Sequence, residues 1–170
     1  VEIYVEKGGR CRYSTIQNWS NNIVNLVTKR ALVEEDGLME WIDGNIGSQL
    51  NMKYPCCVLN GKRAKGNCIS IAVADRGQYQ DAGAKMIHIG EDTTSTIVSK
   101  SIVKNGGVAN YRGKVFMGPK AINSKAHVEC DTLILDDKSA SDTIPTNICN
   151  NNSIIHRNLF RTKQISNSIK

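Results

Sequence analysis

From residue 38 onward the chain is written in short runs in which apolar and polar residues alternate. The runs cover residues 38–43, 50–60, 67–74, 85–89, 94–103, 111–117, 127–135 and 142–149. A period of two residues predicts half-buried β-strands. Gly44, Gly61, Gly66, Gly77, Gly90, Gly106, Gly107 and Gly118 fall between or at the ends of the runs and mark the turns. Few windows show a 3.6-residue period. Residues 23–35 are the best candidate helix, although the β-branched Thr28 and Val33 compete with it.

Eight strands at near-regular spacing fit a sandwich, a barrel or a β-solenoid. The turns are polar and irregular rather than tight Asn-Gly hairpins, and aromatic residues make up only 5% of the chain. Sandwich cores often use a large aromatic anchor, whereas the narrow interior of a solenoid suits Ile, Val, Ala, Cys and Thr. The pattern therefore favours an all-β fold, a β-solenoid, over about residues 38–149. Stacked coils of this kind need covered ends, and the stretches around Val1 and Lys170 look bare.

A chain of 170 residues fits one domain with a real core. We divide it into a core over residues 1–150 and a divergent basic tail over 151–170, expected to be poorly ordered. The net charge of +6 owes much to Arg157, Arg161, Lys163 and Lys170, which follow the last acid, Asp142. Elsewhere charges are interspersed and few aromatics are available to stack bases, so no nucleic-acid partner is expected. No apolar run reaches bilayer length, so no membrane partner is expected either. The alternating, acid-bearing residues 1–7 do not read as a signal peptide. The six cysteines then point to free thiols in a reducing compartment, the cytoplasm.

Cys11, Cys56, Cys57, Cys68, Cys130 and Cys149 include no Cys-x-x-Cys pair, hence no self-contained zinc or cluster site. Cys56 and Cys57 are adjacent and would point to opposite faces of a strand. In residues 127–135, Val128, Cys130, Thr132 and Ile134 share the less polar face, so Cys130 is expected to be largely buried. By residue type alone it is a small core residue. His88 reads as a satisfied core or surface histidine. His127 faces away from Cys130. No Gly-x-Ser-x-Gly, phosphate loop or His-Glu-x-x-His occurs. Asp43, Asp75, Asp81 and Asp92 are scattered, which argues against a polysaccharide-cleaving β-helix.

Several segments carry a resemblance. They are Cys11-Arg-Tyr-Ser-Thr-Ile-Gln-Asn-Trp19, Leu26-Val-Thr-Lys-Arg30, Met39-Glu-Trp-Ile-Asp43, Met52-Lys-Tyr-Pro55, Gln80-Asp-Ala-Gly-Ala-Lys-Met-Ile-His88, Ser95-Thr-Ile-Val-Ser-Lys100, Tyr111-Arg-Gly113 and Glu129-Cys-Asp-Thr-Leu-Ile134. In this order and spacing they resemble the core domain of the SufB/SufD family of the Suf iron–sulfur cluster assembly system, over about residues 4–150. The resemblance implies a right-handed parallel β-helix. It implies a SufB-type scaffold that accepts sulfur and iron and passes the nascent iron–sulfur cluster to apoproteins, without itself being an enzyme. ATP hydrolysis would belong to a SufC-type ATPase, and the partners would include a SufD-type subunit, a sulfur donor protein and a second copy in a homodimer.

The same resemblance assigns Cys130 as sulfur acceptor and metal ligand. It places Gln17, Trp19 and Lys29 on a sulfur path through the interior. As bare residues these three also have structural readings: Gln17 satisfying a turn, Trp19 capping an end, Lys29 pairing with Glu34 or Glu35. Where the family carries a Glu-His-Glu motif, this chain reads Ile155-His156-Arg157-Asn158. The acids are missing, which leaves Cys149 and His156 as candidate further ligands and implies a weakly held cluster. The family's helical SufC-docking domain has no counterpart here. The alternative is thus a shortened or degenerate SufB/SufD-like β-helix that only mediates protein–protein association.

Overall fold

The computed structural model describes residues 1–165. Its regular structure is fourteen strands, with no helix among the described residues. They are β1 (Glu2–Val5), β2 (Arg10–Trp19), β3 (Val24–Val27), β4 (Arg30–Val33), β5 (Leu38–Gly47), β6 (Leu50–Lys53), β7 (Cys56–Leu59), β8 (Lys65–Ala74), β9 (Tyr79–His88), β10 (Thr94–Val103), β11 (Val108–Met117), β12 (Lys125–Ile134), β13 (Ala140–Cys149) and β14 (Ile155–Gln164). Every pairing is parallel, and no strand pairs with its neighbour in sequence. One sheet runs β2-β5-β8-β10-β12-β14 and the other β1-β4-β7-β9-β11-β13, with β3 and β6 completing its first coils. The chain winds as a β-solenoid of about six turns, as the alternation predicted.

Two details follow from local chemistry. β6 and β7 are separated by Tyr54-Pro55, and both pair with the unbroken β9. Pro55 has no N–H to donate to a ladder, so the strand breaks there. Pro145 sits inside β13, but β13 pairs only with β11 and is an edge strand among the described residues, where proline is tolerated. One corner repeats a left-handed residue in each coil: Gly8, Asp36, Arg63, Asp92 and Asn123. Asp and Asn adopt this conformation more readily than most side chains, and Arg63 is held in it by two hydrogen bonds to Asp36 at 2.7 and 2.6 Å.

The core is a thin strip between the sheets. Ala31, Val33, Leu59, Met86, Ile97, Val115 and Met117 are buried, and Trp41 packs edge-on to Tyr13 at 5.5 Å.

One expectation fails. Residues 23–35 are not a helix but lie in β3 and β4. In β3 the exposed Val24 and Leu26 alternate with the half-buried Val27 side, and in β4 the half-buried Leu32 lies opposite the buried Ala31 and Val33, so apolar residues occupy both faces of these strands, and this mimicked a helical period. Regular structure continues past residue 150. β14 pairs with β12 from Lys125↔Ile155 through Ile134↔Gln164. The remainder of the expected tail, 166–170, lies outside the described residues.

Candidate functional site

The register places Thr15, Asp43, Ser70, Ser99, Cys130 and Phe160 in a single column, one per coil. All six point inward, since Asp43, Ser70, Ser99 and Cys130 are buried and their strand neighbours are less so. A polar column inside an otherwise apolar strip is costly unless it is partnered. At about 4.8 Å per coil, Asp43 and Cys130 lie about 14 Å apart along the axis.

At the first-coil end the column meets two buried lysines. Lys29 and Lys53 are 2% and 1% exposed. Lys29 Nζ donates to Asp43 Oδ1 at 2.6 Å and to Thr15 Oγ1 at 3.0 Å, and its charge lies 4.9 Å from the centre of the Tyr13 ring. Thr15 also donates to Asp43. Lys53 Nζ is 3.5 Å from Asp43 Oδ1 and has no hydrogen-bond partner among the described residues. Burial lowers the pKa of Lys53 to about 8, against the opposing pull of Asp43. Two ammonium groups thus share one carboxylate in the interior.

Lys29 does not pair with Glu34 or Glu35. The reason is topological: β5 brings Asp43 under it. Gln17, half-buried, accepts from Asn25 Nδ2 at 3.1 Å. Asn25 also donates to Asn51, and Asn51 to Gln80, so a ladder of amides lines the interior beside the lysines. Trp19 ends β2 and is 52% exposed.

At the other end, Cys130 is 3% exposed. Burial raises its pKa, and hydrogen bonds from the Thr143 and Ser99 hydroxyls oppose the rise. Phe160 covers it in the next coil and tilts against Tyr111, their ring centres 6.4 Å apart. Glu129 and Asp131 point outward. Lys100 and Arg161 bind both, so the two acids form a surface ion network rather than part of the thiol's surroundings. His127 is also outward, 3.8 Å from Glu129. His88 is buried between Thr93 Oγ1 and Ser95 Oγ at 2.8 and 2.9 Å.

Of the other two candidate ligands, Cys149 ends β13 and is exposed. His156 lies on β14, in register with Ala126, and its Nε2 is buried without a partner among the described residues. No group of three or more His, Cys, Asp or Glu among the described residues is arranged to hold a metal ion.

The sequence reading missed Asp43, Lys53, Ser99, Thr143 and Phe160. Only Lys53 left a signal, a lysine at an inward position just before Tyr54-Pro55. The rest become neighbours only through the register.

Fold and site together define a parallel β-solenoid with a polar track inside it, running from paired buried lysines to a buried thiol. The chain belongs to the family described as the SUF system FeS cluster assembly SufBD core domain, which matches residues 1–165. It is 58% identical over 166 residues to the "Iron-sulfur cluster assembly protein SufB" of Bacillus subtilis (strain 168). The same identity holds to "Iron-sulfur cluster assembly SufBD family" proteins of Staphylococcus epidermidis and Staphylococcus aureus. Each alignment covers 98% of this chain but only 36% of the relative's length.

Proposed function

We propose that this chain is the core of a SufB-type scaffold, on which an iron–sulfur cluster is built as cargo and from which it is passed to apoproteins. The observation that carries the reading is the interior column from the Lys29–Asp43–Lys53 cluster to Cys130. A solenoid has no packing need for a lysine pair in its core, and buried charges are expensive. Cationic and hydroxyl groups along the track suit an anionic sulfur species. Gln17 and Lys29 line its first-coil end, with Trp19 at the rim.

Cys130 is the acceptor. Its thiolate attacks the outer sulfur of a donor persulfide and a new S–S bond forms. The donor's S–S bond breaks, and the leaving donor thiolate takes the proton that Cys130 gave up. Thiolate is the reactive form, and the Ser99 and Thr143 hydroxyls favour it. Iron then needs further ligands, since one thiolate holds iron poorly. Cys149 and His156 on the last coil are the candidates within the chain. A SufD-type subunit or a second copy would add others against β13 and β14, edge strands among the described residues that leave backbone groups open to a partner. A SufC-type ATPase would serve the longer assembly, in the cytoplasm.

The test is anaerobic reconstitution with iron and sulfide, read by the thiolate-to-iron absorbance, with sulfane sulfur on the Cys130 peptide measured by mass spectrometry. Cys130→Ala should lose both signals. Equal reconstitution by Cys130→Ala would refute the assignment.

A further inference from the structure

The outer surface of the coils carries charge in cross-coil pairs. Arg12 meets Glu40, Arg63 meets Asp36, Arg112 meets Asp81, and Lys100 and Arg161 bracket Glu129 and Asp131. One outer column sets two lysines on adjacent strands. The register stacks Glu2, Arg30, Cys56, Lys85, Lys114 and Thr146. Lys85 and Lys114 lie directly opposite on adjacent strands, about 4.8 Å apart at the backbone. Both are exposed, and among the described residues neither has a carboxylate within 4.0 Å. Like charges directly opposite in a sheet destabilise it. Arg30 continues the column, its nearest acid the exposed Glu2 at 4.0 Å.

This column lines a groove. Two depressions of about 530 and 390 Å³ meet at Tyr54, Lys85 and Lys114. Arg30 and Arg112 line it together with the apolar Met52, Val58 and Ile144. No Asp or Glu lines either depression. Lys85 is 5.8 Å from the centre of the Tyr54 ring.

We propose that this groove binds an acidic, extended peptide segment of a partner protein, laid across the coils with its carboxylates on Lys85, Lys114 and Arg30 and its apolar side chains on Met52, Val58 and Ile144. From Arg30 to Lys114 is three coils, about 14 Å, or roughly four residues of extended chain. A phosphate would be cradled by free backbone N–H groups, but here the backbone of β9 and β11 is engaged in the ladder. A single-stranded nucleic acid would want several stacking aromatics, and the groove has Tyr54 alone. The binding does not depend on the sulfur-accepting role of Cys130, which lies in the interior.

The experiment is fluorescence anisotropy at low ionic strength with a labelled peptide alternating Glu and Leu. Lys85→Glu/Lys114→Glu is compared with Lys125→Glu/Lys138→Glu, exposed lysines outside the groove that change the net charge equally. The groove variant should bind about tenfold more weakly or worse, and the control should stay within about twofold of the parent. Lys85→Gln/Lys114→Gln should lose affinity in the same direction. The proposal is overturned if the control loses as much as the groove variant. It is overturned equally if the parent does not bind, or if inorganic phosphate or a single-stranded oligonucleotide displaces the peptide at equal concentration.

Discussion

Asp43→Asn probes the interior cluster most directly. Asn keeps the shape of the side chain and removes its charge. In the parent, Asp43 takes a 2.6 Å hydrogen bond from Lys29 and lies 3.5 Å from Lys53, and none of the three is more than 2% exposed. Removing one partner of a buried ion pair costs about 3–5 kcal/mol, because the other charge is left unpaired. Set against the 5–15 kcal/mol typical of a folded domain, roughly, the variant should fold but be markedly weaker.

The cluster also has a pH signature. Burial lowers Lys53 from 10.5 to about 8. Between those values the unfolded chain holds the Lys53 proton and the folded chain does not, so stability should rise with pH across that window, by about 3 kcal/mol in all. Lys53→Met should lack that rise, and the difference between the two chains isolates it from other titrations. Urea denaturation from pH 7 to about 11, followed by tryptophan fluorescence and circular dichroism, measures both effects. The reasoning fails if Asp43→Asn costs less than about 1 kcal/mol, or if parent and Lys53→Met share one pH profile. Lys29→Met/Asp43→Asn should cost less than the two single changes together, since the pair leaves as a unit.

Four more outcomes can be checked. His88, lowered to about 4 mainly by burial, should make the fold lose about 3 kcal/mol as pH falls from 6.5 to 4, because the unfolded chain takes up its proton first; denaturation of His88→Gln should show a flatter profile. Gly83→Ala should cost about 1–3 kcal/mol by thermal or chemical melting, since an added Cβ would overlap the Arg112 carbonyl of the next coil. Gly77→Ala meets open space and should pay only the strain of its left-handed φ, about 1–2 kcal/mol. Alkylation of the folded chain followed by peptide mapping should label Cys149 first and leave the buried Cys57, Cys68 and Cys130 protected; fast labelling of Cys130 would show that the last coil does not cover it.

Between residues 38 and 149 the sequence by itself determined the strands and their inward faces. Alternation in residues 127–135 placed Cys130 in the core and turned Glu129, Asp131 and His127 outward, and the structure agrees. The polar, irregular turns and the low aromatic content indicated a solenoid. Alternation is a local property, set by the pleat, so it survives without knowledge of the fold. It was misleading where apolar residues fill both faces of a strand, as at Leu26 and Val27.

What the tertiary structure decided is which residues meet. Lys29 has Glu34 and Glu35 close by in sequence but pairs with Asp43. Ser99, Cys130 and Phe160 stack because their strands start in register, from Thr94, Lys125 and Ile155. That register depends on the length of every turn between them, and coils of unequal length leave no fixed period to read. A one-residue change in a single turn would shift a strand and turn its set of side chains to the other face. The interior charge cluster and the unpaired lysine column therefore exist only after the coils are stacked.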